Sequence, residues 1–360
     1  MLTRLFARGF ERLYHARNQK KTCARLLEHD TFDGVEYTID TFYERHRQFF
    51  DHPDGFYLPP APLDDLGFRE GLHPRERIVD DPGHEPGHGA AMQRLIFNSP
   101  IPSGDAANDI VPFKWFTGGA QATGIRQQAT GKGRTFLLFV PGWGRRSQGF
   151  EEDMCRQWAN RGIDTGLITK PYHQARAPEG SFTGEYFISA NIFWTIANFR
   201  QCVSEIRAVL RHMRPRYDAV GLFGMSSGGF QTGLAANLED IDFHFPFITG
   251  CQLGRITWNG LITQYVRRDL ERKGVDEASL SKVWSITDLE VLGRFSKARH
   301  IRHYIAKYDT VIPTAYQERL WEVYGRPSRV NLQSSHYSAY FRRHFIVDDV
   351  TRFVRERLAT

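Results

Sequence analysis

Cysteine is scarce in this 360-residue chain: Cys23, Cys155, Cys202 and Cys251 lie far apart, with no CxxC pair among them. That spacing suggests neither a disulfide framework nor a zinc module, so reduced, structural thiols are expected. Long apolar runs are missing as well. No stretch approaches the ~18–20 consecutive apolar residues of a membrane-spanning helix. Arginines interrupt the amino-terminal segment about every fourth residue, which breaks the apolar core of a secretory signal. An intracellular, cytoplasmic protein is the expectation. Internal repeats are absent, and the composition, 41% hydrophobic and 24% charged, excludes a disordered or collagen-like chain and suffices for a large core.

Excess charge is lacking from most of the chain. Lys+Arg 47 against Asp+Glu 41 makes a net +6. Residues 1–25 hold Arg4, Arg8, Arg12, Arg17, Lys20, Lys21 and Arg25 against Glu11 alone, so the whole excess lies there and the remainder is balanced. A nucleic-acid partner is disfavoured, because the body carries no basic excess to form a stripe. The basic segment reads as an amphipathic helix, with Leu2, Leu5, Phe6, Phe10 and Leu13 on one face and Arg4, Arg8 and Arg12 on another. Its apolar stripe would pack on the protein's own body or make peripheral contact with an anionic membrane; a cleaved presequence is a third reading.

What is present is an alternation of strands and helices. Residues 51–90, rich in Pro, Gly and Asp, are expected to wrap or link without building a core. Arg94–Asn98 and Val111–Phe116 follow as strands, then Thr135–Val140, a buried run closed by Pro141-Gly142-Trp143-Gly144. Thr165–Thr169 is the next strand. Ile192, Ile196, Phe199, Val203, Ile206, Leu210 and Met213 mark one face of a long helix ended by Pro215. Strands Tyr217–Phe223, Phe243–Thr249, Ile301–Ala306 and Arg329–Leu332 complete the set, with a helix from Pro313 through Trp321 and a closing helix Phe341–Leu358. The expected fold is α/β, a mainly parallel central sheet flanked by helices. Residues 1–90 are expected to form an amino-terminal extension and 91–360 the α/β domain, with 252–298 as a helical lid.

Chemistry concentrates at Gly224-Met225-Ser226-Ser227-Gly228, a G-x-S-x-G turn between a buried strand and a helix, where a serine is lifted off the strand end. A serine needs a histidine base, and the histidine needs a carboxylate to orient it. Chain order in this architecture should run Ser, then Asp or Glu, then His, each just past a strand. Asp309, after Ile301–Ala306, and His336, after Arg329–Leu332, meet that order. An oxyanion hole needs two N–H donors. Ser227 and Trp143 are the candidates, with Gly142 and Gly144 letting the backbone approach the substrate. Together these residues read as a serine hydrolase acting on an ester or related acyl bond through an acyl-enzyme intermediate.

These residues resemble the α/β-hydrolase superfamily over about residues 91–360. Lys170-Pro171-Tyr172-His173 and Gly184-Glu185-Tyr186-Phe187-Ile188-Ser189 more loosely resemble bacterial members of the α/β-hydrolase domain-containing protein 18 family. The first loop departs from the superfamily's common His-Gly form, with Pro141 in place of the histidine. Neither metal nor organic cofactor is required by this reading, and the substrate would be a small-molecule or lipid ester with a medium or bulky apolar acyl group. An acyltransferase on the same scaffold would use the same residues. A catalytically silent binding scaffold would need none of them.

Other signals carry less. His84-Glu85-Pro86-Gly87-His88 matches H-E-x-x-H, but Pro86-Gly87 disfavours the helix that would put both histidines on one face. Gly131-Lys132-Gly133 precedes its strand, where a phosphate loop would follow one. His300, His303 and His344 are rival bases, and Ser227 is a rival nucleophile off the centre of the turn. Arg145 and Arg146 could meet an anionic substrate group or stay solvated, and Tyr172 and His173 could line the acyl pocket or simply pack. For residues 1–25, deletion separates the readings: if the segment serves a membrane, vesicle binding weakens and short-ester turnover stays intact, whereas loss of folding marks it as part of the body.

Overall fold

The computed structural model describes residues 31–59, 63, 66–76, 89–118 and 134–359. The basic amino-terminal segment with Cys23, the His84–His88 motif and Gly131–Gly133 lie outside the described residues. Among those described, one nine-stranded sheet carries the fold: β1 (Arg69–Glu70), β2 (Ala91–Asn98), β3 (Ile110–Thr117), β4 (Thr135–Val140), β5 (Ile163–Ile168), β6 (Ala219–Met225), β7 (Phe243–Phe247), β8 (His300–Ala306) and β9 (Ser328–Leu332). Their spatial order is β9-β8-β7-β6-β4-β5-β3-β2-β1. From β9 through β5 neighbours run parallel, while β3, β2 and β1 continue the sheet antiparallel. The mainly parallel sheet expected of this alternation is the one observed.

Both faces of the sheet are covered, and strand alternation assigns each face its residues. Phe136, Leu138 and Val140 of β4 enter one core with helices α3 (Ile192–Met213) and α4 (Ser227–Leu238), while Leu137 and Phe139 enter the other. That second core is closed by α2 (Gly149–Asn160) and α9 (Arg343–Leu358), which meet where the Trp158 indole N–H donates to the Val347 carbonyl at 3.2 Å. The long helix α3 starts at an Asn191 cap, which accepts from the Trp194 N–H at 3.0 Å, and ends before Pro215. The three described cysteines, Cys155, Cys202 and Cys251, are free and buried.

Two expectations need correction. The Pro/Gly/Asp-rich stretch 51–90 does build core: Phe56, Tyr57, Leu63 and Leu66 are buried in the main cluster, and Arg69–Glu70 pairs with β2 as the sheet's edge strand. Prolines and glycines shape the path there, but the aromatic residues between them set the burial. Tyr57 shows the attachment, with its hydroxyl donating to the Ile286 carbonyl at 3.0 Å and its own carbonyl held by Arg207 at 2.9 Å. The insertion 252–298, with α5 (Leu253–Asn259), α6 (Gln264–Arg272) and α7 (Glu277–Trp284), is helical as expected. Only its first part faces the cleft at the strand ends; Leu280, Trp284, Leu289 and Leu292 are fully buried in the main core. Asp288 ties the insertion's ends together, accepting from the N–H groups of Gln252 and Leu253 at 2.8 and 2.7 Å.

Behind β5 the chain is pinned by a buried ion pair. The Arg176 guanidinium donates to Glu205 on α3 at 2.6 and 2.8 Å, and also to the carbonyls of Thr169 and Asn108. Both side chains are fully buried. Removing one partner strands the other's charge, a loss of about 3–5 kcal/mol. Arg176→Met is therefore expected to lower unfolding stability by that order in urea titrations, far more than truncation of the half-exposed Arg211, which pairs with Glu239.

Candidate active site

The crossover from β4 to β5 leaves to one side and β6 lies on the other, so the carboxyl ends of β4 and β6 border the crevice where such sheets bind ligands. The loop Pro141–Gly144 and the turn at Ser226 meet there. Ser226 has φ 54° and ψ −121°, a strained backbone outside the regions open to most residues. Neighbouring glycines permit it. A Cβ on Gly228 would collide with the Val140 carbonyl oxygen and lie 2.6 Å from that of Pro141, and one on Gly224 would lie 2.6 Å from the Gly229 Cα. Further hydrogen bonds hold the turn, from the Ser226 N–H to the Phe247 carbonyl at 2.8 Å and from the Thr249 hydroxyl to the Ser226 carbonyl at 2.7 Å.

Ser226, His336 and Asp309 converge from three strand ends. The Ser226 hydroxyl and His336 Nε2 are 2.9 Å apart, and His336 Nδ1 lies 2.7 Å from Asp309 Oδ2. All three side chains are buried. The remaining lone pairs of Asp309 are filled by the N–H groups of Val311 and Ile312 at 2.9 and 2.8 Å and by the Gln317 amide at 2.8 Å. With every other acceptor site engaged, the carboxylate is held toward Nδ1. Gln317, fully buried on α8 (Thr314–Val323), also takes the Ala306 N–H at 3.0 Å, and so ties the carboxylate to the end of β8. Sequence reasoning missed it, since a lone glutamine on a helix carries no motif.

The loop after β4 is braced from behind by the Lys170–His173 segment. His173 Nδ1 lies 2.8 Å from the Pro171 carbonyl, which places the proton on that nitrogen and leaves Nε2 to accept the Gly144 N–H at 3.2 Å. The Trp143 indole N–H donates to the Gly184 carbonyl at 2.7 Å, and the Gln174 amide donates to the Arg145 carbonyl at 2.6 Å. Support that a histidine in the Pro141 position would supply from within the loop comes here from a neighbouring segment. A cleft of about 730 Å³ opens above. Gly142, Trp143, Ser226, Ser227 and His336 form its base, and Leu253, Ile256 and Ile262 form an apolar wall.

Tyr172 and His173 are not among the cleft's lining residues. Tyr172 is buried against Tyr186 and Trp194, and His173 holds the loop. Arg145 and Arg146 do line the cleft, with the Arg145 guanidinium drawn to Glu151 at 2.8 Å and Arg146 exposed at the rim. Burial raises the pKa of Glu151 despite that partner. Among the rival histidines, His303 is fully buried beside the Thr249 carbonyl, with burial lowering its pKa to about 4. His344 lies beside the Gln157 amide on the surface, and His300 begins β8, at the sheet end opposite the cleft.

Over 102 residues the chain is 33% identical to the uncharacterized protein YdjC of Bacillus subtilis, a match that covers 28% of this chain and 87% of that protein. No protein-family model matches. In structure the chain is similar to an acetyl xylan esterase from Paenibacillus sp. R4, at 14% identity and a TM-score of 0.58, covering 92% of this chain and 98% of that one. Acetyl xylan esterase 1 from Thermoanaerobacterium sp. JW/SL YS485 is similar at 13% identity and a TM-score of 0.50, over 88% and 92% of the two chains. An acylaminoacyl peptidase of Pyrococcus horikoshii gives 12% and 0.52, over 74% of this chain and 41% of that one. The shared architecture is the α/β-hydrolase fold.

Packing of the turn against β4 leaves no room for a side chain at Gly228. Gly228→Ala is expected to destabilise the protein by about 1–3 kcal/mol or more, read as a lowered urea midpoint, whereas Gly180→Ala, in open space, changes it little beyond the strain of its positive φ.

Proposed function

This chain belongs to the family of the Bacillus subtilis protein YdjC, and we propose that it is a serine esterase cleaving a carboxylic ester through an acyl-enzyme intermediate. The observation that carries the reading is the continuous chain of hydrogen bonds from the Ser226 hydroxyl through His336 to Asp309, at 2.9 and 2.7 Å, at the floor of the cleft.

The chemistry follows from the donors. His336 Nε2 takes the proton of Ser226 as its oxygen attacks the ester carbonyl, and Asp309 stabilises the imidazolium that forms. Negative charge then develops on the former carbonyl oxygen. The Ser227 N–H opens α4, where first-turn amides have no intrahelical acceptor, and the Trp143 N–H approaches from the other loop; these two donors stabilise the oxyanion. Collapse of the tetrahedral species returns the proton to the leaving alcohol. Water, deprotonated by the same imidazole, then attacks the acyl-enzyme, and a second collapse releases the carboxylic acid and restores Ser226.

The cleft is divided in a way that supports an apolar acyl group against Leu253, Ile256 and Ile262, with the polar part of the substrate toward Arg145, Arg146 and Ser147. Small-molecule esters fit this reading, as does the esterase activity named for two of the similar structures. The looser likeness to the α/β-hydrolase domain-containing protein 18 family rests on the segments 170–173 and 184–189, which together brace the loop that presents Trp143. Peripheral contact with an anionic membrane through residues 1–25 remains a proposal from the sequence. Among the described residues no helix is long and apolar enough to cross a membrane.

A fluorophosphonate probe should label the protein and fail to label Ser226→Ala; equal labelling of both would refute the assignment. Asp309→Asn, which keeps the shape and loses the charge, is expected to lower kcat for a short activated ester by about 10⁴-fold, with circular dichroism unchanged.

A further inference from the structure

Beneath the site lies a lysine that the esterase mechanism has not used. Lys170, in the segment after β5, is 1% exposed, and its ammonium donates to the Ser227 hydroxyl at 2.7 Å. Its nitrogen also sits 4.7 Å from the centre of the Phe187 ring. Among the described residues it forms no ion pair within 4 Å. The titratable groups facing it are Glu151 from α2, whose carboxylate is taken up by Arg145, and the Cys202 thiol from α3. Around it, α4 contributes the Ser227 hydroxyl, and residues 184–189 contribute the Phe187 ring.

A buried ammonium without a carboxylate partner costs several kcal/mol, and apolar residues of similar size would fill the space without that penalty. Its location gives it a use. Ser227 is the first residue of α4, and its own N–H is the donor assigned to the oxyanion. The ammonium thus stands one side chain away from where negative charge develops, in surroundings where water does not screen it.

We propose that Lys170 is a positioning residue for the oxyanion hole: it anchors Ser227 through the hydroxyl and places a positive charge behind the Ser227 N–H that favours the charged tetrahedral species over the neutral ester. The proposal rests on the esterase reading and deepens it. Because the benefit arises only when charge appears, it acts on kcat and leaves ground-state binding alone. It also requires the protonated amine. Burial lowers the Lys170 pKa to about 7, opposed by Glu151 and Cys202. Activity therefore falls as pH climbs through about 7 and Lys170 loses its proton.

The test compares wild type, Lys170→Met and Ser227→Ala on a short activated ester from pH 5 to 9, with fluorophosphonate labelling of Ser226 measured alongside. Lys170→Met is expected to lower kcat by about 10- to 100-fold, to leave KM within about twofold, and to lose the descending alkaline limb. Ser227→Ala keeps the amide and the ammonium but removes the link between them, so a smaller loss of kcat is expected with the alkaline limb retained, because Lys170 still titrates; if Lys170→Met does not fold, this variant decides. Retention of both the wild-type kcat and the alkaline limb in the folded variants overturns the proposal while leaving the esterase reading standing. A wild-type protein whose Ser226 is not labelled brings down the esterase reading, and this proposal with it.

Discussion

Everything at the site depends on one close backbone approach. The first turn of α4 lies directly against the carbonyls that end β4, with Gly228 where no side chain fits beside Val140 and Pro141. This approach puts the Ser226 hydroxyl within a few ångströms of the loop from Gly142 to Gly144, and a Cβ on Gly142 would already lie 3.5 Å from the Ser226 Cβ. Two backbone segments that belong to different crossovers thereby lie side by side. The strain at Ser226 is held by its surroundings: the Phe247 carbonyl, the Thr249 hydroxyl and the buried strand β6 leave the turn no relaxed alternative.

Around that contact the polar groups form a shell with a consistent logic. Asp309 is held by two backbone N–H groups and Gln317, so that its orientation toward His336 is set before any substrate arrives. Behind the other side of the cleft, Arg176 and Glu205 fix the segment after β5, and that segment carries both His173, which braces Gly144, and Lys170, which bonds Ser227. In the proposed mechanism such groups need no rearrangement as charge develops, because their dipoles are already aimed. Each of the buried charges is held by hydrogen bonds, Arg176 and Glu205 to one another and Lys170 to the Ser227 hydroxyl.

Much of this was legible in the chain itself, and the reasons differ by element. Thr135–Val140 is apolar at every position because both faces of the sheet are covered, so its ends could be read to the residue. β6 was expected at Tyr217–Phe223 and runs from Ala219 to Met225, since an apolar run does not say where pairing stops. The order Ser226, Asp309, His336 was readable because each follows a strand. In the stretch 51–90 Pro and Gly describe a path and not a depth, and Phe56 and Tyr57 between them decide the burial. Tyr172 and His173 stand together after a strand end in the sequence, but their place behind the loop depends on a turn in which Tyr172 has φ 58°.

The sequence by itself determined the alternation of strands and helices, the neutrality of the body and the strand-end positions of Ser226, Asp309 and His336, all of which follow from local periodicity and residue type. Only the tertiary structure decided which partners those residues have. Gln317 on Asp309, His173 on Gly144 and Lys170 on Ser227 join positions separated by 8, 29 and 57 residues. The first spacing already exceeds a turn of helix, and the other two cross between strands. Hydrogen bonds of that kind are set by the packing of the sheet and its helices, and no local pattern in the chain encodes them.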